Sequence, residues 1–286
     1  MSALILDGRA LAREIAEKAR QTALARQREG RTQPAIAVVR VGEDPASLRY
    51  AQQIQQTFAG AALGFRLVAL PSSASEDQLA NCLRSLGEDP AVTGILLQLP
   101  LPAGLSEETA ASALAAVKDV DGINPLNAGR LFLGRGRYFA PATPLGGVEL
   151  LERSGVKLPG RHAVVVGRSE IVGRPLAMLL LHRHATVTIC HSRTVDLARI
   201  TRQAEILAVA VGKPGLITGE MVAPGAVVLD FGMNVVDGKL VGDVDFASVE
   251  PVAGAITPVP GGTGPLTNAM LLANTIAAVE WQERGE

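Results

Sequence analysis

Short apolar runs of strand length alternate with amphipathic stretches of helix length along most of this 286-residue chain, and that alternation constrains the fold more than any other feature. The runs lie at 35–41, 66–70, 94–99, 163–166, 186–190, 206–211 and 226–231. Most are rich in Val, Ile and Leu and do not alternate with polar residues, as expected of parallel strands buried on both faces. Helical patterns fill the intervals at 10–28, 45–62, 76–86, 107–117 and 175–182, and a last helix is predicted over about 267–283. Strand then helix, repeated, predicts an α/β fold with right-handed crossovers. Asp44-Pro45 reads as an N-cap followed by proline at the first helical position. Ser106 with Glu107 and Glu108 opens another helix, its acids suited to the N-terminal dipole.

The length suits two domains better than one core. The stretch 121–146 is rich in Gly, Pro and Asn and reads as irregular chain between two α/β units. The first domain is therefore expected to run to about residue 140 and the second over 141–265, with the final helix free to pack on either. A net charge of -1 gives no electrostatic case for nucleic acid or an anionic membrane surface. No run approaches the roughly 18 apolar residues of a spanning helix. The chain reaches Asp7 and Arg9 before a signal-peptide apolar region forms, so a cytosolic protein is expected. Cys82 and Cys190 match no metal or redox spacing and read as reduced thiols. His162, His182, His184 and His191 offer no H-x-x-x-H pair, so no metal site is expected.

The clearest mechanistic segment is 161–181, RHAVVVGRSEIVGRPLAMLLL. A buried strand runs into Gly167, a polar turn with Arg168 and Ser169, then Gly173 and an apolar helix. A strand, glycine turn and helix in that order present free N–H groups at the helix start to a phosphate. The spacing is G-x5-G and not G-x-G-x-x-G, so the standard dinucleotide fingerprint fails, and a simple tight turn is the plain alternative. The second strand at βαβ distance ends in Cys190-His191-Ser192-Arg193-Thr194, without the acid that holds ribose hydroxyls in NAD sites. Ser192, Arg193 and Arg168 suit a 2′-phosphate, which favours NADP. A solvated Arg/Ser turn is the competing reading.

Six segments in one order carry a family resemblance: Ser47-Leu48-Arg49-Tyr50; Gln98-Leu99-Pro100-Leu101-Pro102; Asp119 to Pro125 (DVDGINP); Pro141 to Pro144 (PATP); VGRSEIVGRP; and Pro258 to Thr267 (PVPGGTGPLT). In this register the chain resembles the bifunctional methylenetetrahydrofolate dehydrogenase/methenyltetrahydrofolate cyclohydrolase family throughout. The resemblance implies a folate-binding catalytic domain, 1–140 completed by the C-terminal helix 266–286, and a Rossmann-like NADP domain at 141–265. It implies an active-site cleft between the domains and a homodimer formed through the nucleotide domain. The implied reaction oxidises 5,10-methylenetetrahydrofolate to the methenyl cation by hydride transfer to NADP. Bifunctional members then add water, giving 10-formyltetrahydrofolate.

The family pattern puts Tyr50 against the folate ring system, Gln98 beside the reacting carbon and Asp121 on the pterin. It puts Pro260, Gly261 and Gly262 on the substrate, and Gly167, Arg168, Ser169, Gly173, Ser192, Arg193 and Met233 on the cofactor. A carboxylate accepting N–H bonds from the amino-pyrimidine edge makes physical sense, and a glycine loop lets backbone approach a ligand closely. Taken singly, Tyr50 reads equally as a core aromatic and Asp121-Gly122 as a turn pair. Gln98 at the end of an apolar strand is harder to dismiss, because a buried amide needs partners.

One departure bears on function. Members with cyclohydrolase activity carry Tyr-x-x-x-Lys on the helix opened by Asp44-Pro45, and here the lysine position is Ile54. No lysine occurs between Lys18 and Lys118. Isoleucine moves no proton and repels water, so hydrolysis is expected to be weak or absent while hydride transfer survives. The alternatives are the full bifunctional enzyme and, in another class, a non-catalytic folate- or NADP-binding paralogue. A short-chain oxidoreductase would need its own Tyr-x-x-x-Lys, which Tyr50 and Ile54 do not supply.

Overall fold

The computed structural model describes residues 2–285. In chain order the first elements are β1 (Leu4–Ile5), α1 (Gly8–Arg28), β2 (Ala35–Val41), α2 (Pro45–Gly60), β3 (Gly64–Leu70), α3 (Glu76–Glu88) and β4 (Gly94–Leu97). Next come α4 (Glu107–Ala113), α5 (Pro125–Leu133), α6 (Ala142–Arg153), β5 (His162–Val166), α7 (Gly173–Leu181) and β6 (Thr186–Cys190). The rest are α8 (Leu197–Thr201), β7 (Ile206–Val209), β8 (Val227–Asp230), β9 (Asn234–Val236), β10 (Lys239–Val241), α9 (Phe246–Val249), β11 (Ala255–Ile256) and α10 (Gly264–Glu283). The chain forms two compact units, one of Arg13–Ala142 with the residues from Asn268 on, the other of Thr143–Thr267 with the residues up to Ala12. Among the described residues no helix is long and apolar enough to cross a membrane.

The unit containing Arg13–Ala142 is built on a parallel sheet of order β3-β2-β4. Central β2 is covered on both faces, which is why it reads as an apolar run interrupted only by Arg40. Ala37, Val39 and Val41 point to one side and pack with Leu79, Leu83 and Leu86 of α3 and with Ile95 and Leu97 of β4. Helix α3 begins with a complete capping box, Gln78 N donating to Ser75 Oγ at 3.2 Å and Ser75 N to Gln78 Oε1 at 2.9 Å. Helix α2 begins at Asp44, whose Oδ2 accepts from Ser47 N at 2.8 Å, with Pro45 next. It buries Ala51, Ile54 and Phe58, the i, i+3, i+7 stripe of an amphipathic helix. Burying Ile54 and Phe58 completely stabilises by about 1.5–3 kcal/mol each.

The other unit has a six-stranded sheet of order β1-β11-β8-β7-β5-β6, parallel throughout. Strand β5 pairs with β6 on one side and β7 on the other. The chain thus reverses its direction of winding between β5 and β7, the switch point at which open α/β sheets bind ligands beyond their strand C-termini.

Several sequence expectations need correction. Residues 2–12 join the unit of Thr143–Thr267, because Leu4 and Ile5 pair with Ala255 and Ile256 at the sheet edge. The stretch 121–146 is not irregular throughout: α5 and the start of α6 lie in it. Helix α5 is fixed by Asn124, whose side chain accepts from Leu126 N, by Pro125 at N1 and by left-handed Gly134 at its C-cap. Helix α4 stops at Ala113, four residues before the expected end, where Leu114 turns extended. The hairpin β9-β10 and the two-residue strands β1 and β11 were not anticipated.

Candidate active site and cofactor site

Three of the sequence-selected residues come together in the unit of Arg13–Ala142. Gln98 follows β4 and is only 7% exposed. Its Nε2 donates to Ser47 O in the first turn of α2, at 3.1 Å. Tyr50 stands one turn further along that helix, half-buried, and its phenol pKa is pushed up by burial and then by the charge of Asp121. The phenol therefore keeps its proton at neutral pH. Asp121 Oδ1 accepts from Ala142 N at 2.9 Å, and burial raises its carboxyl to about 7. The charge of Asp119 adds to that rise, and the Ala142 bond offsets part of it. Ile54, four residues after Tyr50, is 0% exposed.

The segment carrying Asp121 is anchored by groups that the sequence reading passed over. Asp119 is fully buried and accepts from Ile123 N at 3.2 Å, Asn124 N at 2.8 Å and Asn127 Nδ2 at 2.9 Å. Asn274 of α10 donates to Val120 O at 2.7 Å and Ala140 O at 3.2 Å, tying both ends of the loop to the last helix. Asn274 within the largely apolar stretch 269–278 of α10 was the available signal, since a buried amide there requires partners.

In the unit of Thr143–Thr267, Gly167 directly follows β5 with φ +133°, and a Cβ on it would lie 2.2 Å from Ala210 O beyond β7. A Cβ on Gly173 would lie 2.3 Å from Gly167 O. Both glycines are thus required by close backbone packing at the switch point. Ser169 Oγ accepts from Val172 N and Gly173 N, each at 3.2 Å, at the start of α7. Arg168, Ser192 and Arg193 are exposed. The first carboxylate after β6 is Asp196, which is committed to capping α8 at Arg199 N, 3.2 Å away. Met233 is exposed, directly after a turn in which Gly232 N donates to Asp230 Oδ1 at 2.7 Å. Pro260, Gly261 and Gly262 form a loop held by residues near the N-terminus. Gly8 N donates to Gly261 O at 2.9 Å, and Arg9 Nη2 to Pro260 O at 3.1 Å.

Two family models match the chain. Residues 6–121 match the tetrahydrofolate dehydrogenase/cyclohydrolase catalytic domain, and residues 141–283 its NAD(P)-binding domain. The chain belongs to the tetrahydrofolate dehydrogenase/cyclohydrolase family. It is 55% identical over 280 residues to the bifunctional protein FolD of Chloroflexus aurantiacus, covering 97% of this chain and 98% of that one. The FolD of Herpetosiphon aurantiacus is 52% identical over 282 residues, covering 98% of each. Among solved structures, the bifunctional FolD of Campylobacter jejuni superposes with a TM-score of 0.96 at 39% identity, covering 98% of this chain and 100% of that one. The Trypanosoma brucei methylenetetrahydrofolate dehydrogenase-cyclohydrolase, complexed with NADP cofactor and an inhibitor, gives 0.94 at 36% identity, covering 99% of each chain. This chain therefore has the family's two-domain α/β architecture, a folate catalytic domain with a Rossmann-like NAD(P)-binding domain.

The residues at the NAD(P) site fit a dinucleotide on their own chemistry. The two glycines make room for backbone to approach a pyrophosphate, whereas the N–H groups in the first turn of α7 are taken: Gly173 N by Ser169 Oγ and Arg174 N by Ser169 O, and Pro175 has none. The exposed Arg168 and Arg193, with no free acid at the end of β6, suit a 2′-phosphate.

Proposed function

We propose that this protein is an NADP-dependent methylenetetrahydrofolate dehydrogenase in which hydrolysis of the methenyl product is weak or absent. NADP, when bound, supplies the hydride acceptor. The protein's own contribution is placement, which for hydride transfer is most of the catalytic problem. Asp121 accepts N–H bonds from the pterin, Tyr50 packs on the ring system, and Gln98 lies beside the reacting carbon. Arg168, Ser169, Ser192 and Arg193 hold the phosphates, and Pro260 to Gly262 approach the substrate through backbone.

The observation that carries the loss of hydrolysis is Ile54, wholly buried one turn after Tyr50. Among the described residues of this unit the lysines are Lys18, exposed on α1, and Lys118. Lys118 is buried, with Nζ donating to Asp89 O at 2.7 Å, ahead of β4, whereas Gln98 follows its far end. General acid–base help is worth roughly 10²–10⁴ in rate, so its absence nearly silences the step. A second reading, the full bifunctional enzyme, draws on the names of the relatives and on Asp121, whose pKa of about 7 suits a general base. A homodimer through the nucleotide unit is part of the proposal, supported by edge strand β6 with its exposed Ile189.

The test uses purified protein, NADP and 5,10-methylenetetrahydrofolate, with NADPH and the methenyl compound followed separately by absorbance. NADPH formation with methenyl compound decaying no faster than in buffer supports the proposal. Enzyme-dependent loss of added methenyltetrahydrofolate establishes the bifunctional reading instead, and no NADPH at all removes both.

A further inference from the structure

We propose that Arg40 is a further substrate-contacting residue, which with Gln98 forms a buried donor–acceptor pair that reads the carbonyl-and-N–H edge of the folate pyrimidinone ring. The inference rests on the folate reading given above. Arg40 lies near the C-terminal end of β2 and is 8% exposed, in a run whose other members are all apolar. Strand β2 pairs with β4 in a register that matches Val39 with Leu97, and Gln98 N donates to Val39 O at 2.9 Å. One step further in that register brings Arg40 beside Gln98. Val39 and Leu97 pack toward α3, so by the alternation of a strand Arg40 and Gln98 project from the opposite face.

Each of the two side chains is held at one end and free at the other. Arg40 Nη1 donates to Gly42 O, and Gln98 Nε2 donates to Ser47 O. Among the described residues, the buried side-chain polar atoms without a protein partner are Arg40 Nε, Gln98 Oε1 and Asn268 Oδ1. The first two belong to neighbouring positions of one sheet and are complementary, an N–H donor and a carbonyl acceptor. No carboxylate within the described residues pairs with the Arg40 guanidinium. A buried cation left unpaired is costly, and unsatisfied buried polar groups are few in folded proteins. A ligand edge carrying C=O beside N–H satisfies both atoms at once. In folate that edge is C4=O with N3–H, leaving the exocyclic amino group for Asp121, one of whose oxygens already accepts from Ala142 N. The location agrees with the rule that open α/β sheets bind ligands beyond the carboxyl ends of their strands.

The experiment compares wild type with Arg40→Met and Arg40→Lys by calorimetric titration with tetrahydrofolate and with its 4-amino analogue. The analogue replaces the carbonyl by an amino donor and the N–H by a ring acceptor, so it meets Arg40 donor to donor. Wild type is expected to prefer the 4-oxo ligand by about tenfold to a hundredfold, the range of a charge-assisted hydrogen bond. Arg40→Met should lose most of that preference, bind tetrahydrofolate about tenfold or more weakly, and keep its NADP affinity and its melting temperature. Arg40→Lys, which keeps the charge without the fixed Nε–H, should also lose the preference and covers the case in which the methionine variant does not fold. Retention of affinity and preference in either folded variant overturns the inference and makes the pair a structural feature. Wild type that binds no tetrahydrofolate overturns the folate reading and the inference with it.

Discussion

Asp121→Asn should make this protein more stable at pH 8 than at pH 5 relative to wild type, while weakening its hold on folate. Burial and the neighbouring Asp119 raise the Asp121 carboxyl to about 7, against an ordinary value near 4. The folded protein therefore keeps a proton that the unfolded chain releases between about pH 4 and pH 7. Stability falls as pH rises through that window and is level above it. Three pKa units correspond to at most about 4 kcal/mol, and roughly half of that, about 2 kcal/mol, remains for a half-buried group. Asparagine carries no such charge, so the stability difference between variant and wild type should grow by about 1.3 kcal/mol from pH 5 to pH 8, since about two of those three units lie in the interval. In scanning calorimetry that is roughly 3–5 °C in the relative melting temperature. Asp119 titrates in both proteins and drops out of the comparison to first order. Activity should move the other way: wild-type kcat/KM for the folate should rise with pH up to about 7 as the accepting carboxylate ionises. In the variant it should be flat and lower by about tenfold to a hundredfold. Melting temperatures that run parallel across the whole range would falsify the reasoning, because the carboxylate would then be no less solvated in the fold than outside it.

Ile54→Lys should cost about 2–4 kcal/mol, since it trades a wholly buried apolar side chain for a desolvated ammonium. In return it should speed methenyl hydrolysis by about 10² or more; a folded variant with no gain in that assay would separate Ile54 from the missing activity. Gly173→Ala, whose Cβ would lie 2.3 Å from Gly167 O, should lower the melting temperature and raise the KM for NADP about tenfold, with the folate KM little changed. An unchanged KM for NADP would show that the turn does not touch the cofactor. Arg193→Glu should cut the preference for NADP over NAD by about tenfold to a hundredfold, read as the ratio of the two kcat/KM values; an unaltered ratio moves the 2′-phosphate contact to another residue.

Local pattern reported what local pattern can. Strand β2 was legible to its exact ends because it is central and, Arg40 aside, apolar on both faces. Helices α2 and α4 announced their starts through Asp44-Pro45 and Ser106-Glu107, where the caps are in the sequence itself. Strands β1 and β11 are two residues each and too short for any periodicity, and they exist because each completes the other's ladder across 250 residues of chain. Helix α5 was missed although Asn124-Pro125 and Gly134 bracket it, because Asn127 and Gly129 weaken its interior. Asn127 is buried there for a tertiary reason: it donates to Ala116 O and to Asp119, at 2.9 Å each. Tyr50, Gln98 and Asp121 could be singled out because each sits in a segment with its own order of residues. Arg40 could not, since only the register between β2 and β4 brings it to Gln98.

The candidate cofactor loops after β7 and β8 are held by a buried carboxylate, Asp243. Its Oδ2 accepts from Val211 N at 2.7 Å and Gly212 N at 2.9 Å, just beyond β7, and its Oδ1 from Asn234 Nδ2 at 2.9 Å. Its own N–H donates to Asp230 Oδ1 at 3.0 Å, and that carboxylate also takes Gly232 N and Val244 N. One buried pair of acids thus fixes the turns after β7 and β8, on either side of which Gly212 and Met233 are displayed. Asp243→Ala strands three donors, each costing about 1–3 kcal/mol if left unpaired, so the loss should be about 3–6 kcal/mol after partial rescue by water. That is a large part of the roughly 5–15 kcal/mol that holds a domain folded. Asp243→Asn keeps one acceptor, and a flip of the Asn234 amide meets its new NH₂, so its loss should stay near 1 kcal/mol. Urea unfolding should rank wild type, asparagine and alanine in that order. The asparagine variant should bind NADP several-fold more weakly with its fold intact, because the loops lose definition before the unit loses stability. An alanine variant within 1 kcal/mol of wild type would mean that solvent reaches these donors and that the two turns are positioned by something other than the acid pair.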